Sequence, residues 1–356
     1  MRKYKYKTAV YIGRFQPFHL AHLDTIKLAL DEAETLIVAV GSCNKPITVK
    51  NPWTAQERIQ MIKYAVVADR HTGWTDKFHD DINPHRIKYI EIRDYMYNDA
   101  KWAAEVFAKA TQIGATDDKE TALYGCFKDD GSYFLKMYPQ WDLRETEYLY
   151  NLNATDVREC LFEKENLDTY ETLLPNHIHR QMMLFLCTER FKTLKAEHEH
   201  YKAYKAQFAS MPFPPTFVTV DSLVVKSGHV LLVERGRNPG KGLLALPGGF
   251  LDQNERLDDA AIRELKEETN IKVDAAVLKN AIDTVKVFDH PKRSLRGRMI
   301  THAHLIDLGS TGQLPMVKAG DDASKAMWVP LADVLSSERK FFDDHYCIIT
   351  HLTSRF

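Results

Sequence analysis

Cysteine is scarce in this chain: Cys43, Cys126, Cys160, Cys187 and Cys347 are scattered, odd in number and never paired as C-x-x-C. That excludes a disulfide framework and a sulfur-ligated zinc site, and it fits reduced thiols in a cytoplasm. No apolar run approaches the length of a membrane span. Arg2, Lys3, Lys5 and Lys7 look like a signal-peptide start, but the apolar run after them breaks at Gly13, so no leader is expected. The formal net charge is −1, leaving no global basic field to attract nucleic acid. Glycine is present, yet not as the three spaced residues of a dinucleotide fingerprint. Internal repeats and low-complexity segments are missing as well. What is left, 356 residues with 44% hydrophobic and 27% charged content, reads as a cytoplasmic globular chain of two domains.

The densest signal lies near the start. Ala9-Val10-Tyr11-Ile12 ends at Gly13, a turn with Arg14, Phe15 and Pro17 follows, and then come His19 and His22. Leu23, Ile26 and Leu30 recur at helical spacing, predicting a helix over about Leu20–Ala33. A strand that hands a glycine turn to a helix N-terminus is suited to phosphates, because backbone N–H groups and the helix dipole both face the anion. Apolar runs at Thr35–Gly41, Ile87–Ile92 and Ala122–Cys126 predict further strands. Helices are predicted from the Pro52–Thr54 start through Val66 and over Asp99–Thr111. Such alternation predicts an α/β, doubly wound, mostly parallel sheet, with ligands beyond the carboxyl ends of its strands.

Asn153-Ala154-Thr155-Asp156-Val157-Arg158 reads as another helix start, with Asn153 or Thr155 as cap. A helical stretch from His177 to Phe208 is stopped by the prolines of Met211–Pro215. The texture then turns to β: Phe217–Val220, Leu223–Val225, a turn at Gly228, and Val230–Val233. Strands at Thr284–Phe288, Met299–Ile306 and Met327–Val329 follow one charged helix. The expected organisation is a first domain over residues 1–188, a helical and proline-rich linker over 189–212, and a second domain over 213–356.

Two imidazoles three apart at a helix start share one face of its first turn. Beside Arg14 they can donate hydrogen bonds to phosphate oxygens; the plainer reading is a pair of capping or packing histidines. Downstream, Gly249, Glu255 and Arg263-Glu264-Leu265-Lys266-Glu267-Glu268 form a second constellation. At ~100° per residue, Glu264 and Glu268 lie at the margin of an apolar stripe, where clustered carboxylates lose solvation unless cations neutralise them. Hard divalent ions are suitable partners, and a solvated charged helix is the alternative.

The run Gly13-Arg14-Phe15-Gln16-Pro17-Phe18-His19-x-x-His22 resembles the signature of archaeal-type nicotinamide mononucleotide (NMN) adenylyltransferases of the nucleotidyltransferase superfamily. Asn98–Trp102 and Asn153–Arg158 resemble that family's tryptophan segment and second phosphate segment. The resemblance implies a Rossmann-like first domain that attaches AMP from ATP to NMN, giving NAD and pyrophosphate. It further implies that His19 and His22 hold the ATP phosphates, Arg14 and Arg158 clamp them and Mg²⁺ bridges them, with Gly13, Phe15, Asn153 and Thr155 lining the substrate site. Trp102 would stack on nicotinamide, or equally be a core aromatic; Trp53 has no claim beyond packing.

The spacing from Gly249 to Ile271 is similar to the Nudix box. That implies an α/β/α sandwich with a mixed sheet and metal-dependent hydrolysis, with ADP-ribose giving AMP and ribose 5-phosphate. Glu264, Glu267 and Glu268 would be the metal and catalytic carboxylates, binding Mg²⁺, or Mn²⁺ as the alternative, with the Gly248 carbonyl as a further ligand, while Arg263 would hold the carboxylates and border the substrate. The box has glycine where this chain has Asn270, the residue that best tolerates the same left-handed helix end. Lys292, Arg293, Arg296 and Arg298 either meet substrate phosphates or form a solvated loop. The pairs His302/His304 and His198/His200 read as structural. The implied partners are ATP, NMN, NAD and ADP-ribose, with a homo-oligomer left open and neither nucleic acid nor membrane. A different phosphorylated acceptor, with the Nudix half as a nucleotide sensor, is the rival reading.

Overall fold

The computed structural model describes residues 4–69, 83–127, 130–320 and 323–354; Arg2 and Lys3 of the basic start lie outside them. The chain divides into two compact units, Met1–Lys195 and Ala196–Phe356. In the first, β1 (Tyr6–Gly13), α1 (Leu20–Glu32), β2 (Ala33–Val40), α2 (Ala55–Asp69), β3 (Ile87–Glu91), α3 (Asp99–Gln112), β4 (Thr121–Gly125) and β5 (Asp142–Glu145) alternate. α4 (Ala154–Lys164), α5 (Asn176–Phe185) and α6 (Glu189–Ala206) follow, and the boundary between the units falls within α6.

All five strands are parallel, in the order β3-β2-β1-β4-β5. The doubly wound sheet expected from the apolar runs is what forms. Residues alternate between its faces: Ala9, Tyr11, Leu36, Val38 and Val40 pack with α1, α2 and α4, while Val10, Ile12, Ile37 and Ala39 pack with α3 and Trp141. Strand order reverses between β1 and β4, so the switch point lies at Gly13 and Gly125, where an open sheet binds ligands.

The second unit holds β6 (Thr216–Lys226), β7 (His229–Arg235), β8 (Leu244–Ala245), β9 (Gly248–Phe250), α7 (Leu257–Thr269), α8 (Ala275–Asn280), β10 (Ile282–Phe288), β11 (Arg298–Asp307), β12 (Ala323–Pro330), α9 (Leu331–Ser336) and α10 (His345–Leu352). Its seven-stranded sheet runs β10-β11-β6-β7-β12, with β8 on β7 and β9 on β6. Among the described strand ladders of this sheet β6 and β11 pair in parallel and the others antiparallel, so the sheet is mixed.

Three expectations change. The helical stretch His177–Phe208 is two helices, because the Thr188 hydroxyl accepts from Phe191 N–H (3.1 Å) and starts α6 anew. Phe217–Val220 and Leu223–Val225 are one strand, β6. β5 and α10 have no counterpart among the elements expected from the sequence. Among the described residues no helix is long and apolar enough to cross a membrane.

Candidate functional sites

The first site is built on the β1–α1 turn. Phe15 adopts a positive φ of 53° and folds its ring over Gly13. A Cβ on Gly13 would meet that ring at 2.7 Å, so only glycine fits beneath it. Gln16 pins the turn from the other side: its amide donates to the Trp53 carbonyl (2.8 Å) and accepts from Trp53 N–H (3.2 Å). Trp53 therefore does more than pack; it supplies backbone that clamps the turn.

His19 is the N-cap of α1, and its backbone N–H donates to Nδ1 of His22 at 3.2 Å. The two rings stack with centroids 3.5 Å apart. Capping and functional readings are thus compatible: accepting at Nδ1 places the His22 proton on Nε2, as a donor. Asn153 caps α4, its side chain accepting from the N–H groups of Thr155 and Asp156.

Three arginines converge here with different duties. Arg158 donates to the Gln16 and Ala154 carbonyls and to the Thr155 hydroxyl, tying α4 to the turn. Arg58, which the sequence does not single out, is 1% exposed and donates to the carbonyls of Arg14, Gly41, Ser42 and Thr54. Burial first, and Arg14 after it, lowers the pKa of Arg158 to about 10. Burial likewise takes Arg58 to about 10, and Arg14 again contributes. Both remain cationic at neutral pH. Arg14 itself is exposed, and its side chain makes no hydrogen bond among the described residues. Arg58 sits between Glu57 and Ile59 like any residue on a solvated helix face, so no local signal could have found it. Trp102 is half-buried on α3, edge-on to Phe134 (5.5 Å), on the side of the sheet that packs Val10, Ile12 and Trp141.

The second site lies between β9 and α7. Gly248 pairs with Asp221, and a Cβ there would fall 2.1 Å from the Val220 carbonyl; a Cβ on Gly249 would fall 2.4 Å from the Glu264 carboxylate. The two glycines make room for α7 to lay its acidic edge on β9. Glu268 accepts from Gly248 N–H at 3.1 Å, and burial pushes its carboxyl up to about 8, with Glu264 and Asp221 adding to the rise. Burial raises Glu264 as well.

Arg263 donates from Nε to Glu255 (3.0 Å), from Nη1 to Glu264 (2.8 Å) and Glu267 (3.0 Å), and from Nη2 to Glu255 (2.5 Å) and the Phe250 carbonyl (3.2 Å). A guanidinium has five N–H groups, and all are used. Arg263 holds the carboxylates as expected, but no donor is left for a substrate.

Asn270 ends α7 in the left-handed conformation (φ 45°, ψ 33°), as its tolerance for that region predicts, and its amide donates to the Lys318 carbonyl at 3.1 Å. The basic cluster splits. Arg293 is buried in a bidentate pair with Asp344 (2.9 and 3.0 Å), Arg298 donates to the Asp289 carbonyl, and Arg296 lies over the Phe250 and Phe342 rings. The three guanidiniums thus have different partners and do not act as one cluster. His304 is fully buried with Nε2 3.1 Å from Asp258, a structural placement; His198 and His200 lie on α6.

No three His, Cys, Asp or Glu side chains among the described residues form a ready metal shell. The donor chemistry nevertheless suits a hard divalent cation: buried carboxylates that are costly to ionise alone, laid against a glycine cradle.

Two family models match, a cytidylyltransferase-like domain over residues 10–160 and a NUDIX domain over residues 215–352. The fold and the two sites therefore define a nucleotidyltransferase joined to a Nudix domain. A nicotinamide/nicotinic acid mononucleotide adenylyltransferase of Acinetobacter baylyi is 34% identical over 208 residues, 58% of this chain and 98% of its own. An ADP-ribose pyrophosphatase of Methanocaldococcus jannaschii is 37% identical over 114 residues, 32% of this chain and 62% of its own. Over the full length, the crystal structure of a bifunctional NMN adenylyltransferase/ADP ribose pyrophosphatase from Francisella tularensis, complexed with AMP and a manganese ion, is 34% identical. It covers 98% of this chain and 99% of its own, with a TM-score of 0.87. The chain belongs to the family of bifunctional NMN adenylyltransferase/ADP-ribose pyrophosphatases.

Proposed function

We propose that the first unit transfers AMP from ATP to NMN, forming NAD and pyrophosphate, and that the second cleaves ADP-ribose to AMP and ribose 5-phosphate. The observation that carries the first reaction is the convergence of Arg14, His19, His22 and α4 on the turn at the sheet's switch point. The NMN 5′-phosphate attacks the α-phosphorus of ATP and pyrophosphate leaves, so no protein nucleophile is needed; positioning and charge stabilisation suffice. His22 Nε2–H and the exposed Arg14 face the developing charge, with His19 beside them. Arg58 and Arg158 are positioning residues that hold the turn, and Arg158 Nε stays available to a phosphate. Gly13, Phe15, Asn153 and Thr155 shape the walls, and Trp102 offers its ring to nicotinamide.

In the second unit Glu264, Glu267 and Glu268, with the Gly248 carbonyl, would hold Mg²⁺ or Mn²⁺. Such an ion, when bound, supplies positive charge against the diphosphate and a water of lowered pKa. Arg263 fixes the carboxylates, and Glu267, the most exposed of the three, lies at the solvent edge of the cluster.

Assaying NAD formation and ADP-ribose turnover in the wild type, His22→Ala and Glu267→Gln tests both readings. His22→Ala should lose ~10²- to 10³-fold in NAD synthesis alone, and Glu267→Gln a similar factor in hydrolysis alone. No NAD from NMN and ATP, or no AMP from ADP-ribose with Mg²⁺ or Mn²⁺, refutes the corresponding half; the latter result favours a sensor.

A further inference from the structure

The second site carries carboxylates, while its one central cation, Arg263, is fully occupied by them. A diphosphate entering that site needs positive charge from elsewhere in the protein, beyond what a metal offers. Two other guanidinium groups lie close by. Arg235 closes β7, donates from Nε to the Pro239 carbonyl at 2.8 Å, and holds its guanidinium carbon 4.3 Å from the centre of the Phe342 ring. Arg296, from the loop between β10 and β11, lies 5.9 Å from that same ring and 5.7 Å from the ring of Phe250. Phe250 follows Gly248 and Gly249 on β9, so Arg296 borders the glycine cradle.

The shared ring is built in. Gly240 has a φ of +74°, and a Cβ there would fall 2.2 Å from Phe342, so this glycine makes way for the ring beneath both arginines. Neither arginine forms an ion pair among the described residues. Burial lowers the pKa of Arg235, with the charge of Arg296 next among the causes; Asp343, Glu268 and Tyr201 act in the opposite sense. Two half-buried cations crowded over one ring, with Asp343 the nearby acid and the Ser294 hydroxyl taking the Arg296 Nε–H (3.4 Å), are an arrangement a further anion would stabilise.

We propose that Arg235 and Arg296 bind the diphosphate of the second site's substrate, Arg235 from the side of Glu268 and Arg296 from the side of Phe250. This rests on reading that site as a hydrolase of ADP-ribose. Of the four basic residues in the Lys292–Arg298 loop, it gives the substrate contact to Arg296.

Steady-state kinetics of Arg296→Ala and Arg235→Lys test it, with Mn²⁺ affinity by electron paramagnetic resonance and NAD synthesis as controls. The expected result is a KM for ADP-ribose raised roughly 10- to 100-fold with kcat changed less than about threefold. Mn²⁺ affinity and NAD synthesis stay at wild-type levels, and Arg296→Lys recovers part of the loss. An unchanged KM in both variants overturns the proposal, as does a parallel fall in Mn²⁺ affinity, the mark of a structural role. If the wild type leaves ADP-ribose intact, the substrate reading fails but the proposal is still decided. Calorimetry with inorganic pyrophosphate and Mn²⁺ then serves: weaker binding by Arg296→Ala supports it, and equal affinity overturns it.

Discussion

Glu268 gives a quantitative link between metal, pH and stability. Without metal its carboxyl titrates at about 8 in the folded protein, against an ordinary 4.5 when unfolded. Between these values the folded state holds a proton that the unfolded state has released, so stability must fall as pH rises. At ~1.4 kcal/mol for each pH unit crossed, the stability present below pH 4.5 is reduced by about 3 kcal/mol at pH 7. The cleanest window is pH 6.5 to 8.5. Below it, His302 and His345, whose pKa values burial lowers, contribute the opposite slope. Within it, Glu268 alone accounts for about 2 kcal/mol. Unfolding of the full-length protein in EDTA, read through hydrogen exchange of α7 and β6 amides, should show this decline. Saturating Mn²⁺ should remove it and add ~2.7 kcal/mol at a hundredfold excess over Kd. Glu268→Gln can keep an acceptor for Gly248 N–H without the charge, so it should be the more stable protein at pH 8 in EDTA and gain less from Mn²⁺. Stability flat across the window, or an equal Mn²⁺ gain in both proteins, refutes the reasoning.

Arg58→Ala leaves four carbonyls without their donor and should cost the first unit ~3 kcal/mol or more, seen as a lower urea midpoint, with ADP-ribose turnover unchanged. Gly13→Ala pushes a methyl into the Phe15 ring and should cost ~1–3 kcal/mol and slow NAD synthesis, checked by denaturation and initial rates. Asn270→Gly trades the Lys318 contact for an unstrained left-handed residue and should shift stability by under ~1 kcal/mol; Asn270→Ala should lose about 1 kcal/mol in the same denaturation assay.

Much of this was legible in the sequence because it is local. The parallel strands announce themselves as apolar runs buried on both faces, and the cap at Asn153 depends only on its neighbours. Asn270 could be placed because left-handed tolerance is a property of the residue itself. β5 was missed since Asp142-Leu143-Arg144-Glu145 is an edge strand with alternating burial and no apolar run. Long-range polar partners left no trace: Arg58 serves carbonyls from three segments, and Arg293 finds Asp344. A basic run in the sequence cannot say which guanidinium faces which acid once the loop is folded. Only the folded structure shows that Arg263 has no donor to spare.

The strand orders also bear on how the chain must fold. Each sheet places an early strand at its centre: in the first, Thr8 of β1 pairs with Thr121 of β4, and in the second, Thr216 of β6 pairs with Arg298 of β11. Both are parallel pairings whose loops must close before any ladder contact forms, so each central strand stays half-partnered while the intervening chain is made. Two apolar strands, β1 and β6, are therefore the segments most exposed to wrong pairing during synthesis. The first sheet has all its strands once Glu145 has emerged, before Thr216 is made. Vectorial synthesis thus keeps the two vulnerable strands from competing for each other's partners.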